Sequence, residues 1–428
     1  MGLDTPVPLF AYNHPMAFPL APLALVCLLG QQAVPLKKEA EDLTRLTTAR
    51  FYDSQSTIWR APDQTSEVVG TQGYTFWPSL LAWQMVIEAA RIDAKAWKPK
   101  ISSLFAVIER YFDKKAKAYC AWVYFPGNDD RFYDDNAWAA VACLEAYEVT
   151  RENRYLARAV EVFDGFVKGG WDSRKGGVRW GTKPGSIDRM DRTVSATAAS
   201  ALAGLLIDKA TKSTKNRAWS KRALDWIRDN LSDKEGLIYD GFYGSSGKRM
   251  PTIWTYNTGV PIRAAVEYYR ATGDRKYLDW SRQMGNAACN PNLCPLYDGA
   301  VASPEARRWY DAIYFVQYLA DGLWHLSKAT KDNRYVAEAN RHAKYCIENL
   351  RDSDGLFWRN MRLWTISADL HRKFLKTTGQ DGPAFTPDES ERSYSPEELK
   401  KPVGERKLVK TLLANAGMAR MLWILSRP

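Results

Sequence analysis

An all-α toroid of six helical hairpins is the fold class this sequence predicts. Three observations carry it: an internal repeat of about 60 residues, apolar positions at helical spacing on either side of each repeat's turn, and no long strand-like alternation. The repeat is seen in TRENRYLARAVEVF from Thr150, TKNRAWSKRALDWI from Thr214, TGDRKYLDWSRQMG from Thr272 and TKDNRYVAEANRHA from Thr330. Each has a Thr, a polar turn and an aromatic five residues on, and the steps between the threonines are 64, 58 and 58 residues.

A second motif interleaves with the first. WDSRKGGVRW (171–180), LSDKEGLIYDGF (231–242) and RDSDGLFWRN (351–360) centre on Gly177, Gly236 and Gly355, and the spacing predicts a missing member near LCPLYDGA at residues 293–300. Each period therefore holds two helices, one ending before the Thr turn, as in NAWAAVACLEAYEV, and one starting after it, as in RYLARAVEVFDGFV. Hairpins repeated from roughly residue 60 to 428 bury one face of every inner helix when closed into a ring. The longer, aromatic connections gather at one end, where a ligand cleft is expected, because loops on a rigid scaffold carry binding groups. Residues 1–35 read as an N-terminal extension and 36–428 as a single domain.

Composition narrows the function classes. The 60 basic and 49 acidic residues give a net charge of +11, but no basic stripe or nucleic-acid module concentrates it, so a nucleic-acid partner is not expected. The 17 Trp and 22 Tyr suit stacking on sugar rings and equally suit filling a large core. His14, His325, His342 and His371 show no ligand spacing, so neither metal nor cofactor is expected. The apolar run Met16–Ala33 has signal-peptide length without a basic leader, is short and Pro-broken for a membrane span, and predicts secretion. Removal of Cys27 leaves five cysteines: Cys289 and Cys294 are close enough in CNPNLC for a local disulfide, while Cys143 and Cys346 fall on helical patterns as buried thiols. LVKTLLANAGMARMLWILSRP reads as an amphipathic helix interrupted by Lys410 and Arg420, with no anchor signal, and the chain is expected to be a monomer.

The candidate chemistry lies in RFYDDNAWAAVACLEAYE, where Asp134 and Asp135 stand side by side at a helix start. One Asp there caps a helix. Two held close in a cleft raise the proton affinity of one of them, giving an ionised and a protonated carboxyl together, as glycoside hydrolysis requires.

YDDNAWAAVACLEAYEVT, GGVRW (176–180), LIYDG (237–241) and WTYNTGVPIRAAVEYYRATGDRKYL (254–278), in this order, resemble glycoside hydrolase family 76, the endo-α-1,6-mannanase family, which also contains fungal cell-wall transglycosylases. The resemblance implies an (α/α)6 barrel, a retaining mechanism and an α-mannan substrate, with Asp134 as nucleophile and Asp135 as acid/base. It further implies Asp240 as a sugar-hydroxyl ligand and Tyr256 and Asn257 as subsite residues. Trp180 either stacks on a mannose ring or fills the core, and Tyr133 and Asn136, which flank the pair, join the substrate-binding set. The chain departs from the family's YNQG at Thr258 and lacks the Asn often found within TVSATAAS (193–200). Mannan transglycosylation, glycan binding without catalysis, and sugar epimerisation on a similar toroid are the competing readings; the last is disfavoured because no His falls in a cleft motif.

Overall fold

The structure is a computed structural model that describes residues 36–68, 73–182, 187–380 and 382–428. The predicted signal segment Met16–Ala33, with Cys27 and His14, lies outside the described residues. The described residues form one compact unit. Its inner ring consists of α2 (Phe76–Ile92), α4 (Tyr133–Thr150), α6 (Val194–Thr211), α8 (Thr255–Thr272), α10 (Ile313–Thr330) and α14 (Leu412–Leu425). The outer layer is α1 (Leu36–Phe51), α3 (Ala94–Glu109), α5 (Asn153–Gly165), α7 (Arg217–Leu231), α9 (Arg275–Ala288) and α11 (Arg334–Asn349), while two short helices, α12 (Ala368–Thr377) and α13 (Pro396–Leu399), interrupt the chain between α11 and α14.

Sequence pattern decides which helices go inside. α5 buries only Tyr155, Ala159, Val162 and Phe163, the single stripe of a surface helix. α14 is buried at every position, so the amphipathic reading of this segment is corrected: it is an inner helix, and Arg420 is tolerated because its charge is matched inside. Neighbouring inner helices contact one another in sequence from α2 to α14, and α14 returns to α2. α8 and α10 approach closely because Gly259 faces Gly322; a Cβ on Gly322 would lie 2.3 Å from the Gly259 carbonyl oxygen. The ring begins earlier than residue 60, since α1 packs beside α14 as the outer partner of the last inner helix.

Both sequence motifs mark helix ends. Thr150, Thr211, Thr272 and Thr330 are the last residues of α4, α6, α8 and α10, and each hydroxyl donates at 2.8 Å to the carbonyl four residues back. The next residue, Arg151, Lys212, Gly273 or Lys331, turns left-handed and ends the helix. The register residue in α6 is therefore Thr211 rather than Thr214. The glycine motifs close the outer helices through antiparallel bridges at Trp171 and Val178, Ser232 and Ile238, and Arg351 and Phe357. The missing member is the bridge between Tyr297 and Trp309. Two further members carry no glycine: Tyr52 with Trp59 and Phe112 with Tyr119, where Thr57 and Lys117 adopt φ of 50° and 53°. Asp53, Asp113, Asp172 and Asp233 head these turns by accepting the amides two and three residues on.

Away from the inner-helix starts, five inner helices share a buried ionic network. Arg263 on α8 donates to Glu145 on α4 (2.8 Å) and Asp321 on α10 (2.7 Å). Arg420 on α14 reaches Gln317 and Glu145, and Arg427 holds Glu88 on α2. Burial alone would raise the Glu88 pKa, but Arg427, Arg91 and Arg420 outweigh it and hold it at about 2; Asp321 is likewise lowered, with Arg263, Arg420 and Arg427 opposing burial. Cys289 and Cys294 are free thiols, one half-buried at the end of α9 and one exposed, so the local disulfide considered from sequence is not formed. Among the described residues no helix is long and apolar enough to cross a membrane.

Candidate active site

A cleft of about 700 Å³ opens at the N-terminal ends of the inner helices. α2, α4, α6 and α8 each contribute their second residue to it: Trp77, Asp134, Ser195 and Tyr256. Phe315 and Tyr318 of α10 complete this side. Helix N-termini present unpaired amides and the positive end of the helix dipole, so carboxylates and sugar oxygens are favoured there. Trp77 stacks on Phe315 at 5.8 Å and Tyr256 packs on it at 4.6 Å, forming an aromatic wall suited to sugar faces.

Asp134 and Asp135 stand in the first turn of α4, whose cap residue Phe132 makes no side-chain capping bond. Asp134 is heavily anchored: Oδ1 accepts the Asp135 amide (2.9 Å), while Oδ2 accepts the Trp180 indole N–H (2.9 Å) and the Ser195 hydroxyl (3.0 Å). Among the described residues no group donates a hydrogen bond to the Asp135 carboxyl, which faces the cleft. Burial pushes the Asp134 pKa up to about 6, held back by its three hydrogen bonds. Asp135 goes well above the usual carboxylate range, through burial first and then the negative charge of Asp134, with Arg189 opposing and Asp130 adding. The three hydrogen bonds that Asp134 accepts favour its ionised form, and the charge of Asp134 favours the protonated form of Asp135. Arg189 is tied to Asp130 at 2.7 Å and lies over the Phe132 ring at 3.6 Å.

Asp240, which also lines the cleft, accepts the Tyr256 hydroxyl at 2.7 Å. Burial raises its pKa, while bonds from Tyr256, Trp254 and Asn257 oppose the rise. Asp134, Asp135, Trp180, Asp240 and Tyr256 therefore line the cleft together.

Three residues assigned to substrate binding from sequence stand behind its wall instead. Tyr133 is buried and stacks on Phe166 at 4.7 Å. Asn136 is fully buried and clamps the Tyr119 backbone, accepting its N–H at 2.7 Å and donating to its carbonyl at 3.0 Å. Asn415 makes the same clamp on Phe357 from the fourth position of α14, and Thr197, fourth in α6, accepts the Val178 amide. Asn136 is therefore one of three inner-helix side chains, with Thr197 and Asn415, that accept a backbone amide from the neighbouring turn. Asn257 is also fully buried; in the orientation that satisfies its bonds, its amide donates to Asp240 Oδ1 at 3.1 Å, so it supports Asp240 from behind.

Ser195, Arg189, Asp130, Asp191, Trp254 and Tyr243 also line the cleft and were not singled out from sequence. The helix register would have revealed Ser195, which occupies in α6 the position Asp134 occupies in α4; Arg189 and Asp130 lie in connections without periodicity. Among the described residues no group of three His, Cys, Asp or Glu side chains is placed to hold a metal ion.

Comparison with known proteins places this geometry. A family model described as glycosyl hydrolase family 76 matches residues 36–360. The meiotically up-regulated gene 191 protein of Schizosaccharomyces pombe is 29% identical over 373 residues, 82% of either chain. The family 76 α-mannanase of Bacteroides thetaiotaomicron superposes with a TM-score of 0.68 at 18% identity, covering 91% of this chain and 95% of that one. An inactive α-1,6-mannanase variant from Salegentibacter sp., with two consecutive aspartates replaced by asparagine and α-1,6-mannotriose bound, gives a TM-score of 0.66 at 20% identity, covering 91% and 99%. At these identities the structural matches bear on the fold.

Proposed function

The chain belongs to glycosyl hydrolase family 76, and we propose that it is a retaining glycoside hydrolase that cleaves α-1,6-mannosidic linkages in mannan through a glycosyl-enzyme intermediate. The observation that carries this reading is the unequal setting of two adjacent carboxyls: Asp134 held by three hydrogen bonds, and Asp135 lining the cleft with its proton affinity raised by burial and by Asp134. The consecutive aspartates replaced in the inactive Salegentibacter mannanase, and the mannotriose bound there, support the same assignment.

In the first step a carboxylate oxygen of Asp134 bonds to the anomeric carbon as the glycosidic bond breaks, and Asp135 gives its proton to the departing oxygen. In the second, ionised Asp135 takes a proton from water while the water oxygen displaces Asp134, which regenerates both carboxyls. Trp180 and Ser195 fix the nucleophile, and the wall of Trp77, Tyr256 and Phe315 receives the sugar rings. Tyr256 and Asn257 hold Asp240 as an acceptor for sugar hydroxyls. The reading includes export of the chain on the strength of the Met16–Ala33 run, checked by sequencing the N-terminus of protein recovered from culture medium.

Product analysis tests the activity. Wild-type protein is expected to release mannooligosaccharides from an unbranched α-1,6-mannan and none from dextran, and Asp134→Asn to release none. An Asp134→Asn protein as active as wild type would overturn the assignment. An added mannooligosaccharide acceptor distinguishes hydrolysis from transfer, since elongated products arise only when a sugar resolves the intermediate.

A further inference from the structure

We propose that a second cavity, enclosed by α11, α12 and the segment preceding α10, binds a tetrahedral oxyanion, phosphate or sulfate, free or as an ester on a sugar. The cavity measures about 320 Å³ and shares no lining residue with the catalytic cleft. That volume admits an anion together with a sugar ring.

Two guanidinium groups converge on it. Arg308 Nη1 donates to the carbonyls of Glu305 (3.0 Å) and Arg307 (2.8 Å), and Arg341 Nη1 donates to the same two carbonyls at 3.3 and 3.0 Å. Glu338 neutralises Arg341 through two bonds, at 3.0 and 2.6 Å. Among the described residues no carboxylate forms an ion pair with Arg308, and its buried Nε finds no acceptor. Lys344 and Arg362 line the same space. Of the two lining carboxylates, Asp298 accepts the Trp364 indole at 3.2 Å and Glu348 lies 3.7 Å from Lys344.

Neutral carbonyls thus hold two like charges together in a partly desolvated space, and one of those charges has no counter-ion among the described residues. Burial and the neighbouring Arg341 lower the pKa of Arg308, a penalty that a bound anion would relieve. The planar fork of Arg presents paired N–H groups that match phosphate geometry. The wall from Met361 to Thr378 lies beyond residues 36–360 matched by the family model, so this cavity is built partly by chain that the model does not describe.

Isothermal titration of the full chain with sodium phosphate and with mannose 6-phosphate tests the site. Saturable binding is expected with a dissociation constant at or below about 1 mM. Arg308→Gln and Lys344→Gln are each expected to weaken it by about tenfold or more, with the rate on neutral mannan unchanged. Tighter binding of mannose 6-phosphate assigns a sugar ester, and equal affinities assign the free anion. Lys344→Gln alters a partly exposed side chain and carries the test if Arg308→Gln fails to fold. No saturable binding, or wild-type affinity in the folded variants, would overturn the proposal.

Discussion

At the cleft end of the ring, Asp134, Asp135 and Asp240 keep part of their surface toward open space, yet each holds its proton more tightly than a free carboxyl. Toward the other end, Glu88 and Asp321 are 0% and 1% exposed and hold theirs less tightly. Burial alone would order them the other way. What differs is the placement of cations: Arg263, Arg420 and Arg427 are pressed into the closed end, whereas Arg189, the cation acting on Asp135, is tied to Asp130. The ring thus has one end whose buried charges are paired with one another and one end whose carboxyls hold their protons more tightly.

Substituting carboxylates by amides at both ends breaks the comparison most sharply. Asp134→Asn and Asp135→Asn should each reduce turnover of α-1,6-mannan by about 10³-fold or more while leaving the thermal midpoint near wild type; initial rates and calorimetry check both halves. At the closed end, Arg420→Met should cost about 3–5 kcal/mol of stability by leaving Glu145 and Asp321 less compensated, with turnover per folded molecule retained. Urea unfolding followed by fluorescence measures the loss.

The pH dependences should also run in opposite directions. Glu88, held at about 2 when folded against an ordinary 4.5, contributes stability that is full above the ordinary value and is lost as pH falls toward 2. Asp134, raised to about 6, favours the folded state below its ordinary 3.8 and loses that contribution as pH rises through 6, the same interval in which the proposed nucleophile should ionise and activity climb. Removing the positive charge in Arg189→Gln should raise the proton affinity of Asp135 further and move the alkaline limb of the activity profile upward by about one pH unit. Trp180→Phe, which keeps a ring but removes one bond to Asp134, should move the acid limb upward by about half a unit. Rate profiles from pH 4 to 9, roughly the span of these limbs, read both shifts.

The architecture was legible where a turn needs a particular residue. Thr at the inner-helix end and Gly at the left-handed turn position recur because few residues serve there as well, and they marked most of the ring. The first two bridges escaped because Thr57 and Lys117 adopt the left-handed conformation themselves, and α6 was misregistered because Thr214 follows Thr211 within one turn. α1 was missed because its partner α14 is distant in sequence. Within the site, the aspartate pair was legible as adjacent charge at a helix start. Asn136 was misread because a buried amide that clamps a backbone has the same sequence signature as one that binds a sugar. Arg189 acts through space from a connection, where neither period nor capping rule applies.

The pairing of α1 with α14 bears on how the ring is assembled during vectorial synthesis. The first outer helix leaves the ribosome long before residues 412–425 exist to cover its apolar stripe, and Arg420 reaches the closed-end network from that same late helix. The hairpins between them can accumulate in order, each on its predecessor, but closure waits for the last helix. Until then an open arc of inner helices shows apolar surface at its leading edge, and α14 is the element that seals it.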